Sequence, residues 1–171
     1  MMIKQDHGSR VEMELHSGPS ARILIIEAPY YREITDELGN GVTVVLDEAQ
    51  VGYDWIPVPG ALEIPQAFAQ VVAAGLFGKG EKSVYAGLIV LGCVIRGETS
   101  HYDIVCNNTN HWLMETAIRH NIPVGNAILT VDTEQQAFAR ARGGAEGKGG
   151  DAARACLRLI RIAQKLRQPA S

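Results

Sequence analysis

The chain has 171 residues, 46% of them hydrophobic and 20% charged, with a formal net charge of -3 and a pI near 5.9; such a length buries a substantial core without disulfides or metals. Basic residues are dispersed until Arg140, so no broad cationic face is offered to a nucleic-acid backbone. Three widely spaced cysteines, Cys93, Cys106 and Cys156, none in a CxxC pair, read as reduced core thiols of a cytoplasmic protein.

Residues 1–20 are polar with no apolar run, neither a signal peptide nor a membrane span. They read as an arm that is either disordered or paired with a neighbouring subunit, ahead of a single domain over residues 21–171. Ala21 to Glu27, ARILIIE, is a short continuous apolar run, the pattern of a central parallel strand buried on both faces. After Ala28-Pro29-Tyr30-Tyr31, apolar residues at 34, 38, 42, 45, 46 and 49 mark one face of a helix reaching Gln50. Gly39 and Gly41 interrupt it, each costing about 1 kcal/mol against alanine, and a helix, turn and VTVVL strand is the rival reading.

Tyr53 to Val58 reads as a second strand closed by Pro59-Gly60, and Ala61 to Leu76 as a helix, with Pro65 tolerable in its first turn. Val84 to Val94 is a third strand. Ser100 to His120 has helical spacing but a polar middle, Asn107, Asn108, Asn110 and His111, which points to another subunit or a wet channel. Val124 to Val131 is a fourth strand and Thr133 to Arg142 a short helix. Gly143 to Gly150, with five glycines in eight residues, reads as a flexible or tightly turning loop. A last helix starts at Asp151 as cap and runs to about Arg167. Four short strands alternating with helices predict an α/β fold, a three-layer α/β/α sandwich with a four-stranded parallel sheet, flavodoxin-like.

Ligands of such sheets bind beyond the carboxyl ends of the strands, where the turns at 28–31, 58–63, 94–101 and 125–126 are expected to converge. Tyr30 and Tyr31 either stack on a planar heterocycle or staple the helix start. Glu63 either receives hydroxyl protons from a polyol or is a helix-N-terminal carboxylate. In RGETSHYD, a helix beginning near Thr99 or Ser100 turns the backbone N–H groups of Gly97, Glu98 and Thr99 toward an anion. His101, one turn into that helix, is the histidine in catalytic context; Asp103, two residues on, points elsewhere, so a His-Asp relay is not expected. Arg140 and Lys148 are the remaining phosphate ligands, a solvated helix charge being the plainer reading of Arg140. No metal-ligand spacing, GxxxxGK[ST] or GxGxxG motif is present, so neither a metal nor a nucleotide cofactor is expected.

PGALEIP, GCVIRGETSHYDIV and PVGNAILTVDTEQQAFARA, in that order and spacing, resemble lumazine synthase, from about Ala21 to Leu166. The resemblance implies a four-stranded parallel sheet flanked by helices, assembled as a homopentamer or its multiples with sites between subunits. It implies condensation of 5-amino-6-(D-ribitylamino)uracil with 3,4-dihydroxy-2-butanone 4-phosphate to 6,7-dimethyl-8-ribityllumazine in riboflavin biosynthesis, releasing phosphate and water, without a cofactor. Carried over residue by residue, Tyr30 is similar to the aromatic that stacks on the pyrimidine. Gly60, Ala61, Leu62 and Glu63 match the segment holding the ribityl chain, and Val94 and Ile95 the pyrimidine edge. Gly97, Glu98 and Thr99 match the phosphate loop, His101 the proton-transfer histidine, Arg140 the phosphate arginine, and Lys148 a basic residue from the neighbouring subunit. Asn126 stands where many relatives carry phenylalanine, which implies a more polar second wall of the pyrimidine pocket; Tyr30 replaces the commoner phenylalanine or tryptophan, and RGGAEG departs from the pattern of shell-forming relatives. Two other readings are a lumazine- or flavin-binding carrier or shell with weak activity, and a sugar-phosphate lyase or isomerase on the same fold.

Overall fold

The computed structural model describes residues 22–167; the arm expected over residues 1–20 lies outside the described residues. Elements follow the order β1 (Arg22–Glu27), α1 (Arg32–Glu48), β2 (Tyr53–Pro57), α2 (Glu63–Ala73), β3 (Tyr85–Ile95), α3 (His101–Arg119), β4 (Val124–Val131), α4 (Glu134–Ala141) and α5 (Lys148–Arg167), with a 3-10 turn at Gly144–Glu146. The strands form one sheet in the order β2-β1-β3-β4, every pair parallel. This is the α/β/α sandwich with a four-stranded parallel sheet expected from the strand pattern.

Alternation along the strands divides the core in two. Ile23 and Ile25 of β1 with Ile89, Leu91 and Cys93 of β3 pack under α1, α4 and α5. Leu24 and Ile26 with Leu88 and Val90 pack under α2 and α3. Each fully buried Ile, Leu or Phe contributes about 1.5–3 kcal/mol, so the strands that feed both layers are continuous apolar runs, with the buried Glu27 at the end of β1 as an exception.

α1 runs unbroken through Gly39 and Gly41, both buried. A β-carbon on Gly41 would stand 2.5 Å from the carbonyl oxygen of Gly144 and 2.9 Å from the Gly150 nitrogen. The glycine therefore exchanges helix propensity for close approach of the 3-10 turn and α5. The segment 143–150 corrects the expected loop: Gly143 and Gly144 do turn, with positive φ, but α5 already starts at Lys148. Asp151 accordingly lies inside the first turn of α5 rather than at its cap.

The strand order reverses between β1 and β3, because β1 leads outward to β2 and the chain then crosses back to β3 and β4. Glu27, the last residue of β1, pairs with Leu91, so β3 continues past β1 through Ile95. On that side its final residues face open space, at the topological switch point where ligands of such sheets bind.

Candidate active site

A cavity of about 310 Å³ occupies this switch point, lined by Tyr30, Tyr31, Gly60, Ala61, Leu62, Glu63, Cys93, Val94, Ile95, His101 and Val105. Its walls are the turns after β1 and β2, the last residues of β3 and the start of α3. Of the residues expected from sequence, Tyr30, Gly60, Ala61, Leu62, Glu63, Val94, Ile95 and His101 are brought together here. The volume lies at the small end of the ~300–1,000 Å³ typical of ligand pockets.

Tyr30 is 74% exposed, and its ring meets that of Tyr31 edge-on, with centroids 5.1 Å apart at 70°. One face of Tyr30 is thereby left for a planar guest. Burial pushes the Tyr31 phenol above its ordinary value, with Tyr30, Cys93 and Glu134 adding to the shift. Glu63 opens α2, its amide donating to the carbonyl of Gly60 at 3.1 Å, and its carboxylate folds back over that glycine. The Cys93 thiol is pushed up to about 11, first by burial and then by Cys106, which makes it an inert wall rather than a nucleophile.

Helices α1, α2 and α3 all start at this cavity, at Tyr31, Leu62 and Ser100, and none of the three has a side-chain cap. Away from the cavity, α4 is capped in the usual way, Thr133 accepting from the amide of Gln136. Apart from the amide of His101, first-turn amides at the cavity are thus left without a side-chain acceptor. His101 is the first residue of α3, not one turn in as expected, and its amide makes only a long 3.4 Å contact to Thr99 Oγ1. Gly97, Glu98 and Thr99 form the exposed turn before it, outside the cavity lining.

Besides Gly97, Glu98 and Thr99, three expected residues lie outside the lining. Asn126 does not lie at the carboxyl edge, and neither does Gly125: Asn126 pairs with Val90, five residues before the end of β3, or roughly 16 Å at strand rise. Gly125 and Asn126 are the second and third residues of β4, and in a parallel sheet the first residues of a strand lie at the edge opposite the turns that follow β1, β2 and β3. The Nδ2 of Asn126 donates to Asn110 Oδ1 at 2.8 Å, and its Oδ1 accepts from the amide of Ile128 at 2.9 Å. Gly125 serves packing, since a β-carbon there would stand 2.0 Å from the Ala152 carbonyl. Arg140, exposed on α4, donates to the Gln136 carbonyl at 3.0 Å. Lys148 pairs with Asp151 at 3.2 Å.

Tyr31, one of the two rings offered for stacking, also lines the cavity, as do Cys93 and Val105, for which the sequence suggested no place in the site. The signal for Cys93 was its neighbour Val94: where a strand outruns its partner, both faces of its end reach the opening. Among the described residues no group of three or more His, Cys, Asp or Glu side chains is arranged to hold a metal ion, and no helix is long and apolar enough to cross a membrane.

An open parallel sheet with a cavity of aromatic, carboxylate and imidazole groups at its switch point defines an α/β enzyme of small-molecule metabolism. The model of the 6,7-dimethyl-8-ribityllumazine synthase family matches residues 20–164. Proteins named 6,7-dimethyl-8-ribityllumazine synthase are similar throughout: that of Nitrobacter hamburgensis is 46% identical over 147 residues, covering 85% of this chain and 88% of the relative. That of Bartonella bacilliformis is 46% identical over 153 residues, 89% and 95% of the two chains, and that of Agrobacterium fabrum 45% over 144 residues, 84% and 95%. The chain belongs to the 6,7-dimethyl-8-ribityllumazine synthase family, enzymes of riboflavin biosynthesis.

Proposed function

We propose that the protein condenses 5-amino-6-(D-ribitylamino)uracil with 3,4-dihydroxy-2-butanone 4-phosphate to 6,7-dimethyl-8-ribityllumazine, one phosphate and two waters. The observation that carries this reading is the convergence of Tyr30, Gly60 to Glu63, Val94, Ile95 and His101 on one cavity in a chain of this family. Tyr30 stacks on the pyrimidine, Val94 and Ile95 meet its edge, and the segment Gly60, Ala61, Leu62 and Glu63 holds the ribityl chain. Gly97, Glu98 and Thr99 receive the phosphate, with Arg140 and Lys148 as its cationic ligands.

The 5-amino group attacks the ketone, and water is lost to give an imine. Removal of the proton on the neighbouring carbon expels phosphate, leaving an enol that becomes a second ketone. The ribityl-bearing nitrogen attacks that ketone, and a second water leaves as the ring closes. His101, beside the reacting end of the cavity, passes the protons. Positioning two bound substrates supplies up to roughly 7–11 kcal/mol of the barrier reduction, and proton transfer adds about 100-fold to 10,000-fold.

One chain's cavity is small for both substrates, and Asn126, Arg140 and Lys148 lie outside its lining. A neighbouring subunit that brings these residues to the opening completes the site, so the active form is a homopentamer or a multiple of it. Exposed Ile104, Trp112, Met114 and Ile118 on α3 supply the apolar contact surface for such assembly. The polar middle of α3 then faces the neighbour or the pentamer's channel. We place the enzyme in the cytoplasm, which its free thiols suit, and assign residues 21–171 to the one catalytic domain.

Mixing the purified protein with both substrates tests the reaction: lumazine absorbance grows far faster than in the uncatalysed mixture. Light scattering tests the assembly, with a mass of five chains or a multiple expected and a monomer opposing it.

A further inference from the structure

Arg96 ends the third strand's ladder and begins the turn that leads into α3, yet neither the cavity nor the phosphate loop includes it. Its amide donates to the Val131 carbonyl at 2.9 Å, carrying the pairing of β3 and β4 one bond beyond their last strand residues. Its Nε donates to Asp132 Oδ1 at 2.8 Å. Another guanidinium nitrogen lies 3.6 Å from Asp103 Oδ1, and the guanidinium carbon sits 4.1 Å from the centre of the Tyr102 ring.

Those contacts join two helix starts. Tyr102 and Asp103 follow His101 directly in the first turn of α3. Asp132 precedes α4, and its amide donates to Gln136 Oε1 at 2.8 Å, while the amide of Gln136 donates to Thr133 Oγ1 at 3.2 Å. Asp132 is thus built into the start of the helix that carries Arg140. The turn between Arg96 and α3 is exposed, and a β-carbon on Gly97 would meet nothing within 4 Å.

We infer that Arg96 is a positioning residue for the phosphate-bearing substrate, tying the first turn of α3 to the start of α4 and offsetting the charge of Asp103 and Asp132 beside the turn formed by Gly97, Glu98 and Thr99. Arg96 itself is not the anion's ligand, because its guanidinium is committed to two carboxylates and a ring. Exposed ion pairs add little stability, so the consequence is local: without Arg96, two carboxylates stand unopposed next to the place where a dianion must sit. The inference rests on the phosphate loop proposed above.

Steady-state kinetics of the wild-type enzyme, Arg96→Ala, Arg96→Lys and the double variant Arg96→Ala/Asp132→Asn test it, each substrate being varied in turn. Arg96→Ala is expected to raise KM for the four-carbon phosphate about tenfold while leaving KM for the pyrimidine within twofold. Arg96→Lys, which keeps the charge, and the double variant, which removes one carboxylate, each recover part of the loss, and added salt narrows the gap between Arg96→Ala and wild type. An unchanged phosphate KM in Arg96→Ala overturns the inference, as does an equal rise in both KM values with a lowered melting temperature, the mark of a merely structural role. Calorimetric titration of wild type and Arg96→Ala with inorganic phosphate keeps the two readings apart. Absence of lumazine formation by wild type defeats the proposed reaction, whereas equal phosphate affinity in the two proteins defeats the role of Arg96.

Discussion

The carboxylate of Glu63 lies over Gly60, its Oε2 standing 3.1 Å from the point that a β-carbon on Gly60 would occupy. Gly60 has no positive φ, so the absence of a side chain leaves room for the carboxylate rather than easing the backbone. Gly60→Ala is therefore expected to displace Glu63 at little cost in stability. Losing a hydrogen bond between that carboxylate and the ribityl chain, worth about 1.5 kcal/mol or more, raises KM for the pyrimidine about tenfold. Kinetics and a urea melt on the same preparation check it; a large fall in stability with unchanged KM would contradict the assignment.

His101 is exposed at the cavity rim, on the first residue of α3. Replacing it with alanine removes proton transfer and leaves the binding groups in place. His101→Ala is expected to slow turnover by up to about 100-fold to 10,000-fold without abolishing it, since proximity remains. An unchanged kcat removes His101 from the mechanism. Arg140→Ala, by contrast, chiefly raises KM for the phosphate substrate.

At Gly149 and Gly150 the first turn of α5 leaves no space for a side chain. On Gly149 a β-carbon would stand 1.9 Å from the Leu38 carbonyl oxygen, which is backbone and does not swing aside. Gly149→Ala is expected to destabilise by at least about 1–3 kcal/mol in a denaturant melt. Gly80→Ala, where nothing lies within 4 Å, serves as the neutral control, and equal midpoints for the two variants would refute the packing account.

Buried acids set an alkaline limit. Burial pushes the Cys156 thiol from an ordinary value of 9.0 up to about 12 and the Tyr85 phenol from 10.0 up to about 12. Raised values in the fold mean that their stabilising effect is complete below the unfolded values and is lost as pH climbs toward the folded ones. Stability is expected to fall between about pH 9 and 12, with a shallower fall in Cys156→Ala; melting temperatures across that range give the slope. Identical slopes would exclude Cys156 as a contributor.

The sheet was legible because β1 and β3 are buried on both faces, which forces continuous apolar runs. The long first helix was legible because Ile34, Leu38, Val42 and Val45 keep helical spacing across two glycines. What the glycines were for was not legible, since Gly41 and Gly149 answer to the carbonyls of Gly144 and Leu38, far away in sequence. The same holds for the start of α5, where propensity argues for a loop and packing makes a helix. Tyr30, Glu63 and His101 reach the cavity because each stands within six residues of a strand's carboxyl end, a placement that strand pattern alone suggests. Asn126 is not an edge residue of the site because the first residues of a parallel strand lie at the opposite end of the sheet, and Arg96 gives no signal in the sequence because its partners, Asp132 and Tyr102, come together only when two helix starts meet.

Phosphate release and lumazine formation, followed together in one reaction mixture, test the central claim most directly. The account predicts both at enzyme-dependent rates, one phosphate per lumazine, and no phosphate release when the pyrimidine is omitted. Phosphate released without the pyrimidine would make the protein a lyase, and lumazine appearing only at the background rate would make it a carrier; either result contradicts a condensing enzyme.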